Sequence, residues 1–253
     1  NRNELIKKFR KKIKNKKNSS VGAWLQICDP NIAEIISRNK FFEWMVLDLE
    51  HGVFSPNNLA NICRAIEKNN KLKLARLPNK NFKFCSQILD VGFDGFIVPN
   101  VKNSNELKKI REAINYPPKG KRGVGFARDN FFGLNFNERI KNPNSPILIA
   151  MIENINAVKN LKSILSVPGL DAILIGPYDL SASLGVTGNF KSKLFKSTIT
   201  NIRKKSKELN IPVGIHVLND NLKVLQEYMK SGYKFLPYCT DAIFLNSGIK
   251  KAT

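Results

Sequence analysis

Four charged residues carry the chemistry of this chain. Glu153 closes the apolar run Ile147–Ile152, and Asp179 follows a second such run over residues 172–178. A carboxylate at the edge of an apolar core is costly to desolvate and is normally paired or bound to a metal. Two carboxylates leave open positions, which suits a hard divalent cation such as Mg²⁺ or Mn²⁺ completed by water or substrate oxygens, with Co²⁺ a further candidate. His51 and His216 are the only two histidines, which argues against a zinc centre rich in imidazole. Arg76 offers fixed donors for a carboxylate or a developing oxyanion. His51 can serve as a base near neutral pH. Cation, oxyanion donor and base together describe enolate chemistry on a 2-oxo acid.

These residues need a scaffold that brings strand ends together. Continuous apolar runs read as strands buried on both faces, the mark of a parallel sheet. Eight such strands are predicted at residues 21–27, 44–49, 71–77, 95–99, 147–152, 172–175, 213–217 and 234–238. After a basic N-terminal helix, helices are predicted between the strands over residues 30–39, 55–69, 81–90, 104–114, 156–165, 193–209 and 219–231, with a short C-terminal segment at 241–249. Ser55 and Ser104 are candidate N-caps, with Pro56 at the first helical position. Residues 116–144 show no clear period and form a long loop, a length that points to function or disorder. Eight βα units in 253 residues predict a single (β/α)8 TIM barrel, one domain over residues 1–253, whose catalytic groups project from the C-terminal strand ends. Asp48, Glu50, His51, Arg76, Glu153 and Asp179 all fall there. The turn after the first strand, Cys28-Asp29-Pro30-Asn31, lacks the glycines of a dinucleotide-binding loop.

Each residue alone has a duller explanation. His51 could cap the next helix, Arg76 could pair structurally with Asp48 or Asp90, Glu153 could favour a helix dipole, and Asp179 could cap a turn. Their convergence at one end of one barrel favours a site.

Composition narrows the classes further. No apolar stretch reaches the ~20 residues that span a bilayer, and the basic N-terminus lacks the apolar core of a signal peptide. Cys28, Cys63, Cys85 and Cys239 are scattered, which predicts reduced core thiols of a cytoplasmic protein. The formal charge of +22 could mark a nucleic-acid surface. Lysine is spread over nearly every predicted helix, however, and lysine, asparagine and isoleucine are all abundant, which fits compositional bias with steering of anionic substrates as a by-product.

The segments Met45-Val46-Leu47-Asp48-Leu49-Glu50-His51-Gly52, Leu74-Ala75-Arg76-Leu77-Pro78 and Gly92-Phe93-Asp94-Gly95-Phe96-Ile97-Val98-Pro99 resemble the HpcH/HpaI aldolase family. So do the residues from Pro118 to Gly125, Met151-Ile152-Glu153 and Gly176-Pro177-Tyr178-Asp179-Leu180-Ser181. These are metal-dependent class II pyruvate aldolases. The resemblance implies reversible cleavage of a 4-hydroxy-2-oxo acid to pyruvate and an aldehyde. It implies that Glu153 and Asp179 hold the divalent metal, that Arg76 binds the pyruvyl C2 oxygen, and that the Tyr178 and Asp179 N–H groups, in the Gly176-Pro177-Tyr178-Asp179 turn, receive the carboxylate. His51, oriented by Asp48, would take the proton of the C4 hydroxyl directly or through water on the metal. Arg122 and nearby glycines would shape a loop over the site, Glu50 would support it, and the chain would form a trimer or hexamer with its C-terminal helix on a neighbouring barrel.

Two departures stand out. Met151 replaces a glutamine common in the family, and Phe54 is bulkier than expected and would narrow the aldehyde pocket. Two rival functions are a related lyase using acyl-CoA or phosphoenolpyruvate on the same metal site, and a basic nucleic-acid-binding protein on an inactive barrel.

Overall fold

The computed structural model describes residues 2–78, 80–141 and 145–252. Eight strands form a closed barrel in the order β1 to β8, every neighbouring pair parallel. They are β1 (Ser20–Leu25), β2 (Trp44–Asp48), β3 (Leu72–Arg76), β4 (Gly95–Val98), β5 (Ile147–Ile152), β6 (Ala172–Ile175), β7 (Val213–Ile215) and β8 (Phe235–Pro237). The helices are α1 (Arg2–Lys14), α2 (Pro30–Ser37), α3 (Leu59–Glu67), α4 (Phe82–Val91), α5 (Ser104–Ile114), α6 (Phe136–Lys141), α7 (Ile155–Lys159), α8 (Leu161–Leu165), α9 (Pro177–Ser183), α10 (Lys193–Glu208), α11 (Leu222–Lys230) and α12 (Asp241–Ala252).

Side chains alternate along each strand between two cores. Leu148, Ala150 and Ile152 face the helices, whereas Ile147, Ile149 and Met151 fill the barrel. The same parity puts Trp44 and Val46 of β2 and Leu72 and Leu74 of β3 inside. Continued by two residues, the inward phase reaches Asp48, Arg76 and Glu153. The site is therefore set by strand parity as much as by position.

The opposite end of the barrel is closed by α1. Ile6, Phe9 and Ile13, three and four residues apart, are buried against the inner core; full burial of each such side chain stabilises by about 1.5–3 kcal/mol. Lys73 is the one buried lysine among the described residues and pairs with Glu67 (3.2 Å) and Asp94 (3.1 Å). Asp94 directly precedes β4, so this charge knot lies at the N-terminal end of the barrel.

Several sequence expectations are corrected in detail. Ser55 makes no capping bond, and the predicted helix over 55–69 begins as a 3₁₀ turn at Pro56–Asn58 before α3. Asn103, not Ser104, caps α5, because its side chain accepts the Glu106 N–H at 3.2 Å. The helix predicted over 156–165 is two short helices meeting at Asn160. The expected long loop holds a 3₁₀ turn at Arg128–Gly133 and α6, while its last residues, 142–144, lie outside the described residues. Phe54 packs against the outer core. Among the described residues, no helix is long and apolar enough to cross a membrane.

Candidate active site

Asp48 organises the site. It is fully buried, and Arg76 donates to it from Nε (2.8 Å) and from a terminal nitrogen, a two-point clamp. The Trp24 indole N–H donates to the second oxygen at 3.1 Å. The backbone N–H groups of Glu50 (3.1 Å) and His51 (3.0 Å) complete the set. Burial raises the Asp48 carboxyl, but the Arg76 guanidinium and the His51 and Trp24 N–H groups together outweigh it and hold the group below the usual range. Asp48 thus reaches His51 through the main chain, while the His51 side chain stands exposed on the turn after β2.

Arg76 is buried at the end of β3 and also meets Glu50 at 3.1 Å. Its guanidinium lies 5.1 Å from the Trp24 ring centroid. Glu50 is pushed up, chiefly by burial and further by Asp48 and Asp179, while Arg76 and His51 oppose the shift.

Glu153 emerges from β5 beside Gly176, the residue after β6. One carboxylate oxygen accepts the Asn100 N–H, and the other is buried without a hydrogen-bond partner. Burial pushes this carboxyl up to about 7, with repulsion from Asp179 and Glu50 adding to it and the Asn100 N–H opposing it. A Cβ on Gly176 would lie 3.0 Å from the unpartnered oxygen, so glycine is what lets the two strand ends meet. Asp179 lies in the first turn of α9, a short helix absent from the predicted elements, with Pro177 at its start. The first bond of this turn joins the Leu180 N–H to the Gly176 carbonyl at 3.0 Å. The N–H groups of Tyr178 and Asp179 precede that ladder, as at any helix start.

A divalent cation fits this donor set. The orphaned Glu153 oxygen is a costly buried charge that a cation would satisfy, and Asp179 lies close enough to disturb its ionisation. Among the described residues no group of three His, Cys, Asp or Glu is gathered to hold a metal. Two carboxylates leave coordination positions for water and substrate oxygens, as Mg²⁺ and Mn²⁺ prefer.

A family model for the HpcH/HpaI aldolase/citrate lyase group matches residues 20–245. The chain belongs to the HpcH/HpaI aldolase/citrate lyase family. It is 32% identical to a hydroxypyruvate/pyruvate aldolase of Roseobacter denitrificans, covering 90% of this chain and 89% of that one. It is 31% identical to a 4-hydroxy-2-oxovalerate aldolase of Novosphingobium aromaticivorans, over 90% and 86%. The fold matches a crystal structure of an HpcH/HpaI aldolase/citrate lyase family protein from Burkholderia cenocepacia with a TM-score of 0.89, covering 97% of each chain at 22% identity.

Within this family frame, some expected residues lie elsewhere. Arg122 is buried, pairs with Asp90 (2.5 Å) and Asp129 (3.1 Å), and lies 4.6 Å from the Tyr116 ring centroid. It thus braces the segment after α5 against α4, and none of these partners belongs to the strand-end cluster. Met151 fills the barrel beneath Gly176, its methyl 3.4 Å from where a Cβ there would lie. Sequence reasoning missed Trp24 and His216. An inward histidine directly after the apolar β7 was the available signal for the second, and Trp24 reads only as core.

Proposed function

We propose that this chain is a cytoplasmic, divalent-metal-dependent carbon–carbon lyase that reversibly cleaves a 4-hydroxy-2-oxo acid into pyruvate and an aldehyde, and that it works as a trimer or hexamer. The observation that carries this reading is the buried, unpartnered Glu153 oxygen at the strand-end cluster that holds Arg76. Glu153 and Asp179 would hold Mg²⁺, Mn²⁺ or Co²⁺, which when bound supplies a Lewis acid for the oxygens of the 2-oxo acid.

The chain's own residues account for the rest. The carboxylate of the substrate fits the Tyr178 and Asp179 N–H groups at the start of α9. His51, on the exposed turn, accepts the proton of the C4 hydroxyl. The C3–C4 bond breaks, its electron pair passes toward the C2 oxygen, and the aldehyde leaves. Arg76, fixed by Asp48, faces that oxygen and stabilises the charge developing there. Protonation of C3, balanced by release of the proton that His51 accepted, then yields pyruvate. Lys73, the one buried lysine among the described residues, lies at the other end of the barrel from this cluster.

The test needs no knowledge of the aldehyde. Incubated with pyruvate in D₂O, the protein should exchange the methyl protons with added Mg²⁺, Mn²⁺ or Co²⁺, and excess chelator should stop it. Glu153→Ala and Arg76→Ala should lose exchange. His51→Ala should keep it, because pyruvate has no C4 hydroxyl, yet lose about 10²–10⁴-fold in cleavage of a 4-hydroxy-2-oxo acid. A folded protein that exchanges nothing with any of the three metals would overturn the assignment.

A further inference from the structure

His216 follows β7 directly, and its N–H continues the barrel ladder by donating to the Ile175 carbonyl at 3.2 Å. Ile215 and Val217 belong to the outer core, so the intervening His216 points into the barrel. Its ring lies on the Trp24 indole, 4.4 Å between centroids and 32° between planes. The indole N–H of Trp24 holds Asp48, and Arg76 lies against the same indole. His216, Trp24, Asp48 and Arg76 therefore form one contiguous stack ending in the guanidinium assigned to the substrate oxygen.

Two features separate this histidine from ordinary core filling. Its Nε2 atom is enclosed and has no hydrogen-bond partner among the described residues, so the ring is not held by that nitrogen. Burial, and next the Arg76 charge, push the imidazole down to about 3, opposed by the Cys239 carbonyl and Asp48. It is neutral at any ordinary pH and adds no second cation beside Arg76. What remains is a flat, uncharged face packed on an indole, an arrangement that favours one relative orientation of the two rings.

We infer that His216 is a positioning residue, whose ring braces Trp24 and thereby fixes the Asp48–Arg76 clamp where the substrate's C2 oxygen must lie. This inference rests on the aldolase reading, and it acts on rate through geometry alone. Without the ring, Trp24 can tilt into the space left, taking the Asp48 contact with it, and misplacement of a charge-stabilising group by about 1 Å can cost as much as 100-fold.

The test combines exchange kinetics with a spectroscopic readout. His216→Ala should lower the maximal rate of pyruvate proton exchange about tenfold or more, and His216→Phe, which keeps a flat ring, should restore most of it. Arg76→Lys combined with His216→Ala should be no slower than Arg76→Lys alone, because both changes act on one unit. The chain has two tryptophans, so 5-fluorotryptophan labelling should give two ¹⁹F lines, assigned with Trp24→Phe. Only the Trp24 line should move in His216→Ala. His216→Leu replaces the alanine variant under the same criteria should that one fail to fold. A lowered Tm with unchanged exchange, an unmoved Trp24 line, or full additivity with Arg76→Lys would overturn the inference. Wild-type exchange is the control: its absence defeats the aldolase reading, whereas its presence with unaltered His216 variants defeats this inference alone.

Discussion

Glu153 couples the site to pH. Its carboxyl is raised to about 7 from an ordinary 4.5, with burial as the largest cause. Between those two values the folded chain keeps a proton that the unfolded chain releases, so this residue's contribution to stability falls as pH rises through the window. A tenfold difference in proton affinity between the folded and unfolded chain is worth about 1.4 kcal/mol, so the fall amounts to about 3 kcal/mol in all. In chelator, the difference in Tm between Glu153→Gln and wild type should grow from pH 5 to pH 8, with the variant the more stable at pH 8. A divalent cation should reverse the order at pH 8, because only wild type offers the carboxylate, and its affinity for wild type should fall as protons compete below about pH 7. Tm profiles for the two proteins that run parallel from pH 5 to pH 8, with and without Mn²⁺, would show that Glu153 is not the titrating ligand.

Strands place these residues, and their packing can be tested inside β1. Gly22 is paired in register with Trp44, and a Cβ there would sit 2.0 Å from the indole. Trp44 is in turn stacked on Phe235 at 4.2 Å and 14°. Gly22→Ala must displace a ring that fills the barrel, and should cost about 1–3 kcal/mol or more in urea unfolding. An unchanged midpoint would mean that the interior has room the packing does not show. The strands were legible because runs such as Ile147–Ile152 are apolar on both faces, and because Asp48, Arg76, Glu153 and Asp179 stand where such runs stop. Partner choice was not legible. Asp48 gathers donors from a guanidinium, an indole and the main chain, and nothing in the spacing reveals that Trp24 belongs to that set or that His216 packs on it. Arg122 misled for the opposite reason: its glycine-rich surroundings suggest a loop over the site, but Asp90 and Asp129, 32 and 7 residues away, hold it elsewhere. Short elements such as α9 are too brief to show a period, so only Pro177 hinted at a helix start.

The whole molecule carries +22 together with an exposed apolar surface. Phe126, Phe131, Phe132 and Leu134 are 72%, 64%, 71% and 84% exposed, all on the segment between α5 and β5. Phe131 and Phe132 both have a φ of 54°, a left-handed conformation that bulky residues adopt at a cost. Large apolar side chains exposed this close together in the chain point to a surface that a partner covers. A trimer or hexamer would cover it, and the charge supplies a distinguishing signature. Like-charged subunits repel, so added salt should screen the repulsion and favour assembly. Nucleic-acid binding by the same charge would weaken steeply with salt. Sedimentation from 50 to 300 mM NaCl should therefore show particles at a multiple of the 28.6 kDa chain mass that persist or grow with salt. Phe131→Ser with Phe132→Ser should shift them toward smaller species without unfolding the barrel. A monomer at every salt concentration, or nucleic-acid binding that survives 300 mM NaCl, would assign the charge and the exposed phenylalanines to a different partner.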